Sequence, residues 1–167
     1  MQVTLDQIKE LRERSGAGVM DCKRALEASD GNLDRAMQFL TEQGIASAAK
    51  KAHRETAQGL VESYIHAGGR IGSIVEVNCE TDFVARTPEF QTLAREIAMQ
   101  IAAMNPRGVS QEDQGEDAGA GEQETLLDQA YIRDPGKTIR QLIQETIGRT
   151  GENIQVKRFM RFELGQD

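Results

Sequence analysis

The chain has 167 residues, a net charge of −7, two cysteines and no tryptophan. That length suffices for one ordinary domain or two small ones. The acidic balance argues against a dedicated nucleic-acid binder, whose affinity rests on basic contacts to phosphate, and no apolar run approaches the roughly 20 residues of a membrane span.

Residues 1–43 read as three short helices. Thr4 and Gln7 have the spacing of a capping box at the first start, and Leu5, Ile8 and Leu11 make its apolar stripe. Ser15 to Gly18 breaks that helix. Val19, Met20, Cys22, Ala25 and Leu26 belong to the second. Ser29-Asp30-Gly31 is a turn, and Asn32 caps a third helix with Leu33, Ala36, Met37 and Leu40 inward. Three such helices bury little, so the module is small. Residues 44–58, with Lys50, Lys51, His53 and Arg54, read as an exposed linker helix.

Residues 59–167 change texture. Leu60 to His66 and Ile71 to Val77 are strands joined by a Gly68-Gly69 turn, a hairpin signal. Ile71, Ser73, Val75 and Val77 share the face that packs on helices. A corner follows, Asn78 to Thr87, and then a helix from Pro88 with Thr87 as N-cap. Phe90, Leu93, Ile97, Ile101 and Met104 form its stripe, and Asn105-Pro106 ends it. Residues 110–124 are acidic and of low complexity, which predicts a mobile loop. Leu126, Leu127, Ala130 and Tyr131 return to packing, and Asp134-Pro135-Gly136 reads as a turn. Thr138 and Gln141 have capping-box spacing before a helix of Ile139, Leu142, Ile143 and Ile147, closed by Gly148 and Gly151. Ile154 to Leu164 is a long strand of mixed faces. The expected class is α+β: a three-helix module, a linker helix, and a small three-stranded antiparallel sheet packed with two helices.

Sites of covalent chemistry are hard to find. Gly136-Lys137-Thr138 resembles the tail of a phosphate loop, but Tyr131 stands where that loop needs a glycine. Gly16-Ala17-Gly18 lacks the third glycine and preceding strand of a dinucleotide fingerprint. His53 and His66 have no cysteine or histidine at zinc spacing. No cofactor or metal is expected. Cys22 falls on an apolar face, and the two cysteines form no CxxC pair, which predicts a reduced, cytoplasmic setting. The start, Met1 to Asp6, passes into an amphipathic pattern without the shape of a signal peptide. Cys79 sits beside the corner, so a nucleophile there remains a minor alternative to an interaction protein.

The stretch Leu11 to Leu26, the stretch Glu76 to Arg86 and the ending Gly151 to Gly165 resemble, in that order, the opening, central motif and closing strand of bacterial translation elongation factor Ts, in its short form. The first helices also look like the ubiquitin-associated-like fold which that family carries. The resemblance implies a guanine-nucleotide exchange factor, not an enzyme of covalent chemistry, whose partner is the GTPase elongation factor Tu. Thr81, Asp82, Phe83 and Val84 match the segment associated with displacing the partner's Mg²⁺, with Asp82 and Phe83 as intruding side chains. Arg12, Gly16, Val19 and Met20 match the N-terminal partner contacts. On the residues alone, Asp82 could instead cap a short helical turn and Phe83 could plug the core. With the resemblance, Phe83 is expected to be exposed. Long members have two related half-cores, and this chain has one, which leaves a sheet edge or face open and predicts a homodimer. A peptide-binding adaptor built on residues 1–43 is the competing class.

Overall fold

The computed structural model describes residues 2–114 and 124–166. In chain order these form α1 (Leu5–Ser15), α2 (Val19–Ala28), α3 (Leu33–Lys51), β1 (Gln58–Ile65), β2 (Ile71–Cys79), α4 (Asp82–Ala85), α5 (Pro88–Met104), β3 (Ala130–Tyr131), β4 (Asp134–Thr138), α6 (Ile139–Thr150) and β5 (Ile154–Glu163). The expected α+β class holds, with the three-stranded antiparallel sheet in the order β1-β2-β5. Most of the acidic segment 110–124 lies outside the described residues.

The chain divides into two compact units, Met1–His53 with Gln144–Gly151, and Arg54–Ile143 with Glu152–Asp167. In the first, Leu11, Cys22, Ala25, Leu26 and Ala36 are buried, with Ile8, Ala17, Leu33, Met37 and Leu40 packed around them. The Thr4–Gln7 capping box and the Asn32 cap both form. Gly16, at φ 68, turns the chain out of α1. Leu5 departs from the expected stripe: at the first position of α1 it overhangs into solvent. The linker helix is not separate. Helix α3 runs through Gly44 to Lys51, because a glycine there admits the backbone of Gln144, whose carbonyl would lie 3.3 Å from an added Cβ.

In the second unit, Ser73, Val75, Val77 and Cys79 of β2 are buried, and the Ser73 hydroxyl donates to the Ala98 carbonyl of α5 at 2.5 Å. Phe90, Leu93, Ile97 and Ile101 of α5 are buried, whereas Met104, at the fraying last turn, is half exposed. The mixed faces of β5 have a simple origin. A bulge opposite Glu76 and Val77 shifts the register, so Ile154 and Val156 face inward before it while Arg158, Met160 and Phe162 face outward after it. Asp134-Pro135-Gly136 is strand, not turn: it belongs to β4, paired with β3 around Ile132 and Arg133. Proline is tolerated there because a two-stranded ribbon has only edges. The ribbon is fixed to α5 by the buried Gln100, whose amide donates to the Ala130 carbonyl at 3.0 Å and accepts from the Ile132 N–H at 3.0 Å. The Thr138–Gln141 capping box opens α6, which continues through Gly148 and ends at Gly151, φ 76.

Candidate functional site at the strand-to-helix corner

The corner between β2 and α5 is a single helical turn, α4, held at both ends. Thr81, not Asp82, is its N-cap: the backbone there is extended and the Thr81 hydroxyl accepts from the Val84 N–H at 3.3 Å. At the other end the Thr87 N–H and hydroxyl donate to the Val84 carbonyl at 3.0 and 2.7 Å. The same Thr87 oxygen accepts from the Phe90 N–H at 3.3 Å and so caps α5. One threonine thus closes the short turn and opens the long helix.

This frame divides the four predicted residues. Val84 and Ala85 point inward and are 6 % and 4 % exposed, so Val84 anchors the turn in the protein's own core rather than presenting itself. Phe83 points outward and is 79 % exposed, as expected for a projecting aromatic. Asp82 is exposed beside it and pairs with Arg86 at 3.2 Å, a surface ion pair of little energetic weight that a partner can replace.

A third support comes from the far end of the sequence. The last rung of the β2–β5 ladder joins Cys79 to Ile154. Beyond it the strands part, and side chains take over the backbone groups that the ladder would have paired. The Glu152 carboxylate accepts from the Glu80 N–H at 3.1 Å, the Thr81 N–H at 2.9 Å and the Thr81 hydroxyl at 2.7 Å. In return the Glu80 carboxylate accepts from the Asn153 N–H at 2.7 Å and faces the Arg54 guanidinium at 3.6 Å. The Asn153 amide donates to the Arg54 carbonyl at 2.9 Å. Sequence reasoning missed Glu152. Its only signal was a carboxylate between a helix-ending glycine and a strand.

The same surroundings bear on Cys79. Its buried thiol donates to the Thr81 carbonyl at 3.1 Å. Burial, and then the Glu152 charge, push its pKa up to about 11. The thiol is therefore protonated at neutral pH and serves as a small buried donor, which argues against the nucleophile alternative.

The N-terminal candidates lie in the other compact unit. Arg12, Gly16, Val19 and Met20 are all exposed at the α1–α2 turn. A Cβ at Gly16 would lie 2.9 Å from the Arg149 guanidinium, which itself donates to the Ser15 carbonyl. This turn is fixed by its own neighbours and leaves two large apolar side chains, Val19 and Met20, in solvent.

An exposed aromatic on a fixed corner fits a protein that acts on another protein by contact. Comparison with known proteins gives that reading a family. Residues 45–125 match the family model described as elongation factor TS. Over 98 % of its length the chain is 46 % identical to elongation factor Ts of Thermoanaerobacter sp. (strain X514), covering 96 % of that protein. It is 46 % identical to elongation factor Ts of Rubrobacter xylanophilus, covering 98 % of this chain and 100 % of that one. For Desulforamulus reducens the identity is 44 %, over 99 % and 90 %. The chain belongs to the elongation factor Ts family. Its role is in translation elongation. The alignments to these relatives extend over 195 or 196 positions, more than the chain has residues, so the relatives carry segments without a counterpart here.

Proposed function

We propose that this protein is the guanine-nucleotide exchange factor for elongation factor Tu, and that Phe83 is its wedge. The observation that carries the reading is Phe83 itself, 79 % exposed on a turn whose two following residues are buried. Protein-bound Mg²⁺ needs near-ideal octahedral geometry, so a small displacement of the elements around it is costly. An aromatic pressed between those elements, with Asp82 beside it, disturbs the metal site and loosens GDP without covalent chemistry. By linkage, a factor that weakens GDP binding is itself weakened by GDP to the same extent. It therefore leaves when nucleotide returns, and acts as a catalyst of exchange in the cytoplasm, not as a permanent inhibitor.

On this reading the helices of residues 1–43 are the docking module, with Arg12, Gly16, Val19 and Met20 on its contact surface. Residues 44–58, which continue α3 to Lys51, lead from it into the exchanging and dimerising core, which takes residues 59–143 and 152–167 while residues 144–151 belong to the helical unit. The homodimer has a specific face. Val61, Ile65, Ile74, Met160 and Phe162 stand exposed on the side of the sheet away from α5. Glu76 and Arg158 pair at 3.0 Å on the same side. A second copy presents the same apolar surface and covers it by two-fold symmetry.

The test of the exchange reading is release of fluorescent GDP from elongation factor Tu. Substoichiometric protein should accelerate release catalytically, and no acceleration at any concentration would overturn the reading. The dimer is tested separately by light scattering at tens of micromolar: a dimer is expected for the native chain and a monomer for Phe162→Asp. A native chain that stays monomeric on concentration would refute it.

A further inference from the structure

We infer that Glu152 is a positioning residue of the exchange corner, holding Thr81 so that Phe83 projects and does not yield; this rests on the exchange reading above. Glu152 is 71 residues from Thr81 in sequence, yet its carboxylate gathers three donors from Glu80 and Thr81. One of them, the Thr81 hydroxyl, is also the acceptor that caps the turn at the Val84 N–H. The chain of contacts therefore runs from Glu152 through the Thr81 oxygen to the backbone that carries Phe83. Charge-assisted bonds of this kind are the strong ones, and they come from the segment that opens β5, a strand paired with β2 along its length. The corner is thus held from the strand before it, from α5 after it through Thr87, and from the closing strand through Glu152. Glu80 completes the arrangement in reverse by holding Asn153, so the two segments clasp each other where the ladder ends.

The role is distinct from general stability. A carboxylate at 152 does not touch the partner on this account; it sets how stiffly Phe83 is presented. Glu152→Gln keeps the size of the side chain and removes the charge, and Glu152→Asp keeps the charge one methylene short. The experiment has two arms, both on the full chain. In the free protein, amide hydrogen exchange should speed up at Thr81 and Val84 in Glu152→Gln, while the amides of α5 stay protected. With elongation factor Tu, Glu152→Gln should lower the GDP-release rate at saturating factor by about 10- to 100-fold, with little change in the concentration giving half that rate. Glu152→Asp should recover part of the rate. In a Phe83→Ala background the same substitution should have little further effect, because both act through one side chain. Unchanged protection at Thr81 and Val84, or losses that multiply in the double variant, would overturn the inference. If the native chain accelerates release and Phe83→Ala does so equally well, the wedge reading itself falls, and the hydrogen-exchange arm still decides whether Glu152 holds the corner.

Discussion

Phe83→Ala tests the proposed wedge while leaving the fold beneath it in place. The side chain is 79 % exposed, and the turn beneath it is held by Thr81, Val84, Thr87 and Glu152, not by the ring. Its removal should change stability by no more than about 0.5 kcal/mol, the usual range for surface sites. Burial in a partner is another matter, since a Phe side chain taken out of water contributes roughly 1.5–3 kcal/mol. At about 1.4 kcal/mol per factor of ten, that corresponds to roughly a 10- to 100-fold slower release of GDP. The assay is stopped-flow fluorescence with labelled GDP on elongation factor Tu, the factor titrated to saturation, alongside thermal unfolding followed by circular dichroism. A variant that melts with the native protein and releases GDP at the native rate at saturation would refute the wedge. Loss of rate accompanied by a large fall in melting temperature would show that the ring has a structural duty that its exposure does not suggest.

Three other substitutions test the frame. Val84→Ala, one position on, should behave in the opposite way: it removes buried methyl groups and should cost about 2 kcal/mol in denaturant unfolding. Gly59→Ala should be worse, by about 3 kcal/mol or more, because Gly59 has φ 148 and a Cβ there would lie 2.0 Å from the Val77 carbonyl oxygen of β2. Equilibrium unfolding in urea measures both, and native-like stability in Gly59→Ala would mean that β1 can slip past this contact. The third prediction concerns pH. Cys79 has its pKa raised from the ordinary 9.0 to about 11, so the folded state holds the thiol proton more tightly than the unfolded state. Its contribution is complete below pH 9 and is lost as pH rises through about 11; it amounts to roughly 3 kcal/mol. Native protein should therefore lose about that much more stability than Cys79→Ala across this interval, and parallel profiles would contradict the assignment.

What could be read from the sequence was local. The capping boxes at Thr4 and Thr138, the Thr87-Pro88 helix start, the alternation along β2 and the stripe of α5 are all set by residues within a few positions of one another. Where the outcome depended on distant neighbours, pattern failed. Gly44 looks like a helix stop, and only the nearby Gln144 backbone explains why a helix without a side chain there is preferred. Asp134-Pro135-Gly136 has turn composition, but buried Gln100 of α5 fixes the neighbouring Ala130 and Ile132 so that a ribbon forms. The site was half legible. Thr81 to Phe83 carried a recognisable motif, and a solvent-facing Phe was foreseen. The division of roles between Phe83 and Val84, and the cap falling to Thr81, required the backbone. Glu152 was out of reach, because a carboxylate pairing with amides 71 residues away leaves no periodic mark.

The energetics also say why such a corner needs three supports. A wedge transmits to its partner only the energy that its own mount does not absorb. On the exchange reading, if α4 could rotate or unwind for less than the roughly 1.5–3 kcal/mol gained on burying the ring, Phe83 would yield instead of pressing on the partner. A four-residue helix alone is far too short to resist, since helices of that length do not persist in water. Resistance has to come from tertiary contacts. Here these are the buried Val84 and Ala85 below, the shared Thr87 cap behind and the Glu152 carboxylate beside the turn. The same arithmetic limits the wedge to about two decades of nucleotide affinity. On the exchange reading, any larger effect on GDP would have to come from other contacts with the partner, for which the exposed Arg12, Gly16, Val19 and Met20 of the N-terminal unit are the proposed residues.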